Sequence, residues 1–177
     1  IGGLDGGMLR AGDKLPLRAI TPAPKQRQLQ AECAKLFQPR TIFRIVLGPQ
    51  DFCFESDQIE KLTSSDWKLT TRMDRMGLRL SGPSLTHKIN ADILSDGIVK
   101  GAVQIPGDGQ PIILMADHQT TGGYTKIASV ISTDLPALTR LAAHRGIRFT
   151  IVSQAEAEQL ARQKAALLSK VLPMEYP

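Results

Sequence analysis

Residues 111–131, PIILMADHQTTGGYTKIASVI, form the stretch that decides the fold. The run Ile112–Met115 is continuously apolar, which predicts a strand buried on both faces, although a run this short also fits a buried helix. Polar residues and glycines at 117–123 break the pattern, and a second strand is predicted over Tyr124–Ser132. Two strands separated by a polar break predict a sheet with functional groups at its strand ends.

Short strands and turns continue on both sides of this stretch. Strands are predicted at 41–47, 97–105 and 147–152, and a hairpin over 67–80 turns near residues 75–77. Helices are predicted at 56–64, 135–143 and 154–171, with Ser56 and Asp134 as N-caps of the first two. Because no strand–helix–strand repeat with long crossovers occurs, the predicted fold is mainly β with short helices (α+β), an antiparallel or mixed barrel.

The composition is that of an ordinary globular chain. Of 177 residues, 42% are apolar and 22% charged, which excludes a wholly disordered chain, a collagen and a disulfide scaffold. No apolar run approaches the roughly 20 residues that span a bilayer, so no membrane role is predicted. Cys33 and Cys53 form neither a metal-site spacing nor a secreted framework, so we expect no metal site and two reduced thiols in a cytosol.

The basic excess is concentrated in the first quarter of the chain. The net charge is +5, yet the basic residues there form no continuous run and have no Tyr or Trp among them. A solvated connecting segment is therefore favoured over a nucleic-acid face. The predicted organisation is a glycine-rich, basic connecting segment at 1–40, a barrel domain at 41–153, and a C-terminal helix and tail at 154–177.

A first polar cluster lies in the break of the opening stretch. Asp117 follows the predicted buried strand, and an amide and two hydroxyls come next, on Gln119, Thr120 and Thr121. Gly122 and Gly123 would let the backbone approach a ligand and form an anion nest for a carboxylate, a phosphate or an oxyanion. The alternative is a capped turn whose Asp and Thr side chains bond to their own backbone.

A second polar cluster lies at the predicted hairpin turn, in residues 72–79. Arg75 and Arg79 could clamp an anion, with Asp74 orienting one of them. The alternative is an exposed hairpin whose charges pair for solubility, which stabilises a fold very little.

Three longer motifs carry a resemblance to a known family. They are residues 65–83 (SDWKLTTRMDRMGLRLSGP), 93–112 (ILSDGIVKGAVQIPGDGQPI) and 115–131 (MADHQTTGGYTKIASVI). In these motifs the chain resembles the allophanate hydrolase subunit 2 family, also called the KipA or biotin-dependent carboxyltransferase family, which includes the C-type subunit of 5-oxoprolinase. The resemblance implies a cyclophilin-like closed β-barrel and a chain that is the C-terminal portion of a longer, truncated or processed subunit.

The resemblance also implies a function in the cytoplasm with protein partners. Such a subunit works with a B-type subunit, and in 5-oxoprolinase with an A-type subunit, to open 5-oxoproline to glutamate using ATP bound by the assembled complex. An amide substrate needs an acceptor for its N–H and donors for its oxygen. The implied catalytic residues are Asp117, Thr121 and Asp74. The implied substrate-binding residues are Arg75, Arg79, Gln110, Gln119, Thr120, Gly122, Gly123 and Tyr124.

Two alternative functions stay open at this point. One is the carboxyltransferase module of a biotin-dependent urea or amide carboxylase, with carboxybiotin supplied by a partner because this chain has no Met-Lys-Met carrier motif. The other is a non-catalytic regulatory binding module of the KipA type.

Overall fold

Eight strands and three helices occur in the part of the chain that the computed structural model describes, which is residues 4, 7–16 and 38–169. The strands are β1 (Ile42–Leu47), β2 (Trp67–Met73), β3 (Gly77–Ser81), β4 (Asp92–Gly97), β5 (Ala102–Ile105), β6 (Ile112–Leu114), β7 (Thr121–Val130) and β8 (Gly146–Ile151). The helices are α1 (Ser56–Ser64), α2 (Leu135–Leu138) and α3 (Gln154–Ser169), and a 3₁₀ turn covers Asp51–Cys53. Residues 17–37 of the predicted connecting segment, which include Cys33, and the tail after residue 169 lie outside the described residues.

Seven of these strands close into a barrel. The order is β1-β8-β2-β3-β6-β5-β7, and β7 pairs again with β1. Only the β1–β8 pair is parallel among the pairings of the described strands, so the barrel is mixed. The eighth strand, β4, extends the sheet by pairing with the first half of β7. The prediction of a mainly β fold with a closed barrel and a C-terminal helix is confirmed.

The barrel interior holds the main apolar core. Side chains alternate along a strand, so every second residue of β1, β2, β3 and β8 points inward. The largest fully buried side chains include Phe43, Ile45, Trp67, Leu69, Leu80, Ile113, Ile127 and Ile147. Burying each one stabilises the fold by about 1.5–3 kcal/mol. The Trp67 indole N–H also donates to the Leu62 carbonyl oxygen at 2.9 Å, which ties α1 to the barrel.

A second apolar cluster lies on the outer face of the barrel. It consists of Ile98, Ala102, Ile112 and Leu114. The residues between them on β5 and β6, Val103 and Ile113, belong to the interior core. Both faces of this part of the sheet are therefore covered, which accounts for the continuous apolar run that the sequence shows at 112–115.

Asp134, at the start of α2, bonds to Arg40 before β1 and to Arg44 within β1. Its carboxylate is fully buried and accepts hydrogen bonds from the Arg40 guanidinium at 2.7 Å and the Arg44 guanidinium at 2.5 and 3.0 Å. The Arg44 backbone N–H donates to it as well, at 3.0 Å. Burial raises the pKa of Asp134, but the hydrogen bonds from Arg44 and the charges of Arg44 and Arg40 together outweigh that effect, and the pKa lies below its ordinary value. Asp134 occupies the N-cap position of α2 as predicted, but its side chain makes no capping hydrogen bond because the arginines occupy the carboxylate.

Helix α3 begins with a capping box. The Ser153 hydroxyl accepts from the Glu156 N–H at 3.2 Å, and the Glu156 carboxylate accepts from the Ser153 N–H at 2.8 Å. The Lys164 ammonium donates to the Thr133 carbonyl oxygen at 3.1 Å and so links the helix to the barrel. None of the helices in the described ranges is long and apolar enough to cross a membrane.

Several predicted boundaries differ from the observed ones. The strand predicted over 97–105 begins only at Ala102, because residues 98–101 connect β4 to β5 in a turn at Gly101, whose φ of +94° favours glycine. The predicted turn at 121–123 is the start of β7, since β4 pairs with it. Helix α2 ends at Leu138 instead of residue 143. Glu55, rather than Ser56, occupies the N-cap of α1 and makes no capping bond.

Candidate functional site

A cavity of about 500 Å³ lies on the outer face of the barrel. Its floor is the outer apolar cluster, represented by Ile112 and Leu114. One wall is the β2–β3 hairpin, and the other is formed by Gln119 and Tyr124 at the start of β7. Because Leu78 and Leu80 point into the core, the alternation along β3 turns Gly77 and Arg79 toward this cavity.

Gln104 lies in the floor of the cavity and lacks a hydrogen-bond partner. The residue is 1% exposed, and its Nε2 has no partner among the described residues. It pairs in register with Ile112 on β6, which in turn pairs with Arg79 on β3. Buried polar atoms without a partner are rare, and each costs about 1–3 kcal/mol. The unbonded Nε2 makes Gln104 a candidate residue for contacting a ligand in this cavity.

Two guanidinium groups line the same cavity. Arg72 comes from β2 and Arg79 from β3, and both also line an adjoining cavity of about 250 Å³. Neither side chain makes an ion pair or a hydrogen bond with a residue that the structure describes. Two unpaired guanidinium groups at one end of a cavity are suited to a carboxylate or a phosphate, which a guanidinium binds through two parallel hydrogen bonds.

Asp74 contributes a carboxylate to the cavity wall while it holds the hairpin turn. Its Oδ1 accepts from the backbone N–H groups of Met76 at 2.8 Å and Gly77 at 3.1 Å. It bonds to neither Arg75 nor Arg79, so the prediction that it orients one of these arginines is wrong. Its assignment as a catalytic residue stays a prediction.

Arg75 and Asp117 pair with each other outside this cavity. The guanidinium donates from Nε at 2.5 Å and from Nη2 at 2.9 Å to the two carboxylate oxygens, and both side chains are exposed. Hydrogen bonding from Arg75 holds the pKa of Asp117 below its ordinary value, so this carboxylate is ionised at neutral pH. Arg75 lines a separate cavity of about 350 Å³ beside Lys100 and Met115. The predicted roles of Asp117 as an amide acceptor and of Arg75 as an anion clamp stay predictions, although each group already has a partner.

The backbone at 120–123 does not form the predicted anion nest. Thr121 and Gly122 are in β7 and pair with Gly97 and Asp96, and Gly122 and Gly123 are not among the described glycines with positive φ. A nest requires successive residues of alternating handedness, which an extended strand lacks. The Thr120 carbonyl oxygen accepts from the Ile98 N–H at 3.0 Å. The predicted roles of the two threonine hydroxyls stay predictions.

Gln110 has a structural task at its observed position. Its carboxamide accepts from the Gly82 N–H at 2.9 Å and donates to the Gly82 carbonyl oxygen at 3.2 Å. It lines the smaller cavity beside Arg72 and Arg79. Its assignment to substrate binding stays a prediction, and both ends of its amide are already bonded.

The family model for the carboxyltransferase domain, subdomains A and B, matches residues 1–151. The chain belongs to this family. It is 36% identical over 157 residues to the C-type subunit of 5-oxoprolinase from Escherichia coli (strain K12), which covers 89% of this chain and 49% of that protein. It is 38% identical over 172 residues to the corresponding 5-oxoprolinase subunit from Haemophilus influenzae, which covers 97% of this chain and 54% of that protein. The chain therefore spans about half the length of the curated relatives it matches.

Solved structures support the same fold. The crystal structure of the Kluyveromyces lactis urea carboxylase matches with a TM-score of 0.70 at 22% identity, over 75% of this chain and 13% of that chain. At this identity the likeness concerns the fold alone. The barrel described above is thus the fold of a carboxyltransferase-domain protein.

In this member of the carboxyltransferase-domain family, the cavity brings together some of the predicted site residues and separates others. Four of them line it, namely Asp74, Arg79, Gln119 and Tyr124. The others do not, namely Arg75, Gln110, Asp117, Thr120, Thr121, Gly122 and Gly123. Sequence reasoning did not select Arg72 or Gln104. A signal for Gln104 was available, since it is a single amide within the otherwise apolar strand Ala102–Ile105.

Proposed function

We propose that this chain is part of a subunit of an ATP-dependent enzyme that opens the ring of 5-oxoproline to give glutamate. Two relatives at 36% and 38% identity, which cover most of the chain, are named as 5-oxoprolinase subunits of the C type. The proposal places the chain in a cytoplasmic assembly with a B-type subunit and an A-type subunit. ATP is used by the assembled complex.

The observation that carries the proposal is that one cavity contains two guanidinium groups and one buried amide, none of which has a hydrogen-bond partner among the described residues. 5-Oxoproline is a small ring amide that carries a carboxylate on the carbon next to the amide nitrogen. Arg72 and Arg79 would hold the carboxylate, and Gln104 would face the amide. Positioning of this kind lowers the barrier because the reacting groups are already oriented.

Asp74 is the residue that we assign to proton transfer. Ring opening adds water to the carbonyl carbon, breaks the C–N bond and places a proton on the departing nitrogen. Asp74 is the one carboxylate among the described residues that line the cavity, and the hairpin turn fixes its Oδ1. Its other oxygen would take a proton from water or return one to nitrogen.

The test is a co-expression assay with matched aspartate variants. The full-length subunit is produced with its B-type and A-type partners, and glutamate formation from 5-oxoproline and ATP is measured. We expect Asp74→Asn to lower kcat at least about 100-fold, because asparagine keeps an acceptor oxygen for the turn but cannot take up and release a proton. Asp66→Asn, which alters an exposed pair with Arg148 outside the cavity, should retain kcat within a few-fold. A complex that forms no glutamate, or an Asp74→Asn complex with normal kcat, would contradict the proposal.

A second candidate is carboxyl transfer from carboxybiotin to urea or a related amide. It is favoured by the family description, which is that of a carboxyltransferase domain, and by the likeness of the barrel to one in urea carboxylase. Adding avidin to the same assay separates the two candidates. Turnover of 5-oxoproline that avidin leaves unchanged counts against carboxyl transfer, and avidin-sensitive consumption of urea supports it.

A further inference from the structure

Two carboxamides without hydrogen-bond partners among the described residues lie close to Gly122, at the start of β7. A methyl group added at Gly122 would lie 3.1 Å from Gln104 Nε2 and 3.4 Å from Gln119 Nε2. Neither side-chain amide makes a hydrogen bond to a residue that the structure describes. Glycine at position 122 is therefore what allows both amides to lie at this spot.

The chemistry of a carboxamide determines which ligand it can satisfy. The group offers one acceptor oxygen and two donor hydrogens, and all are uncharged. A ring amide or a ureide presents an N–H and a C=O on the same edge, so a carboxamide can donate to that C=O and accept from that N–H. A carboxylate offers no hydrogen to this acceptor, and it is matched better by the guanidinium groups at the other end.

We propose that Gln104, assisted by Gln119, recognises the N–H and C=O edge of a cyclic amide or ureide, and that Arg72 and Arg79 form a separate carboxylate subsite. The choice of 5-oxoproline as the full ligand rests on the proposed function. The presence of an amide site and a cationic site in one cavity also limits the class of substrate. It selects a small planar amide that also carries an anionic group over urea, which has no such group.

The spacing of the two ends fits a ligand of this size. Arg79 pairs with Ile112 and Ile112 pairs with Gln104, so two strand spacings, about 10 Å, separate the backbones of Arg79 and Gln104. Arg79, Ile112 and Gln104 all line the same cavity. A five-membered lactam with a carboxylate on the carbon next to its nitrogen is small enough to lie in that cavity with its two polar groups toward different side chains.

Access to Gln104 requires a small local rearrangement. Its Nε2 is shielded from solvent, and Ile98 Cδ1 and Gln119 Nε2 also lie near the position that a methyl group at Gly122 would take, at 2.6 and 3.4 Å. The terminal torsion of a glutamine is soft and roughly two-fold, so the Gln104 amide can turn either end toward the cavity. Ligand binding would then exchange an unsatisfied donor for a bonded one.

The closing experiment titrates the full-length protein with three probes and follows the side-chain amide signals by ¹⁵N NMR. The probes are 5-oxoproline, 2-pyrrolidinone, which has the ring amide alone, and cyclopentanecarboxylate, which has the carboxylate alone. The Gln104 signal is identified by its absence in Gln104→Met. We expect the first two probes to shift it and the third to leave it in place.

Variants assign each end separately. Gln104→Met should weaken the binding of 5-oxoproline and of 2-pyrrolidinone about 10- to 100-fold. Arg79→Gln should weaken the binding of 5-oxoproline about 10-fold and leave the binding of 2-pyrrolidinone unchanged. Gly122→Ala should weaken both amides, because its methyl would lie 2.6 Å from Ile98 Cδ1 and crowd both carboxamides. Gly123→Ala is the matched control, since its methyl would approach only the Ile93 carbonyl oxygen, at 3.3 Å, and should change affinity less than twofold.

The inference is overturned if Gln104→Met binds both amides normally, if no probe shifts the Gln104 signal, or if cyclopentanecarboxylate shifts it as much as 2-pyrrolidinone does. These outcomes are distinct from failure of the proposed function. Binding as predicted without glutamate formation by the assembled complex would refute the proposed reaction alone. If the Gln104→Met complex forms glutamate with an unaltered KM, only the role of Gln104 in recognising the substrate amide is refuted.

Discussion

Replacing Gln104 by methionine should make the protein more stable, which is unusual for a change in a buried residue. The wild-type Nε2 is buried without a partner, and such a donor costs about 1–3 kcal/mol. Methionine has a similar length and no donor, and it would contact the outer apolar cluster of Ile98, Ala102, Ile112 and Leu114. We therefore expect the free energy of unfolding to rise by about 1–2 kcal/mol, and each kcal/mol to raise Tm by about 2–4 °C for a chain of this size.

Urea unfolding followed by Trp67 fluorescence measures this change. The midpoint should move to higher urea with an unchanged slope, because the surface exposed on unfolding stays the same. Gln110→Met is the matched control of opposite sign. It removes two hydrogen bonds to Gly82, so it should lower the free energy of unfolding by about 1–2 kcal/mol. If Gln104→Met destabilises the protein as Gln110→Met does, the Gln104 amide has a bonding partner and the argument for a ligand subsite fails.

The remaining predictions concern stability and its dependence on pH. Asp134→Ala should lower the free energy of unfolding in urea by about 2–4 kcal/mol, because it removes the buried carboxylate and leaves Arg40 and Arg44 unpaired. Asp66→Ala breaks an exposed pair with Arg148 and should lower it far less. Since the folded pKa of Asp134 is depressed, its contribution is present above the unfolded pKa of 3.8 and is lost as the pH falls through the folded value, so Asp134→Asn should show a shallower acid limb. Burial lowers the pKa of His87 in the folded protein, so the unfolded chain takes up the proton at a higher pH than the folded one does. The free energy of unfolding should therefore fall as the pH drops below 6.5. A His87→Gln variant that keeps the same slope between pH 7 and pH 5 would contradict this assignment.

The parts of the fold that sequence predicted best are those in which burial and alternation agree. The strand at 41–47, the hairpin at 67–80 and the last strand near 147–152 match β1, β2–β3 and β8 closely. Each strand has one face toward the core and one toward solvent, so apolar and polar residues alternate along its sequence.

Strand β4 was missed because its residues carry no such pattern. Asp92–Gly97 is almost entirely exposed, and it becomes a strand through backbone pairing with β7. The same pairing converts Thr121 and Gly122 from a predicted turn into a strand. Backbone pairing between distant segments depends on tertiary context, which local propensity does not contain.

The candidate site shows the same division between local and distant information. Arg79 and Gln119 were selected from residue types near strand ends and Tyr124 from the family resemblance, and all three line one cavity, while their roles in binding stay predictions. The Arg75–Asp117 pair was not anticipated, because its partners are 42 residues apart and only the β3–β6 pairing brings them together. Gln104 was overlooked because amides occur in many strands, and its lack of a partner is visible only in three dimensions.

Strand β1 has a consequence for how the chain is made. It is flanked by β7 and β8, whose residues are synthesised far later, since Ile45 pairs with Val130 on one side and Ile151 on the other. A ribosome therefore releases an apolar strand, with Phe43 and Ile45 exposed, well before either neighbour exists. Non-local pairing of this kind slows folding and leaves unpaired strand edges open to aggregation. The nascent protein should accordingly depend on chaperones until the chain beyond β8 has emerged, and ribosome-bound chains that end before residue 121 should be sensitive to protease across β1.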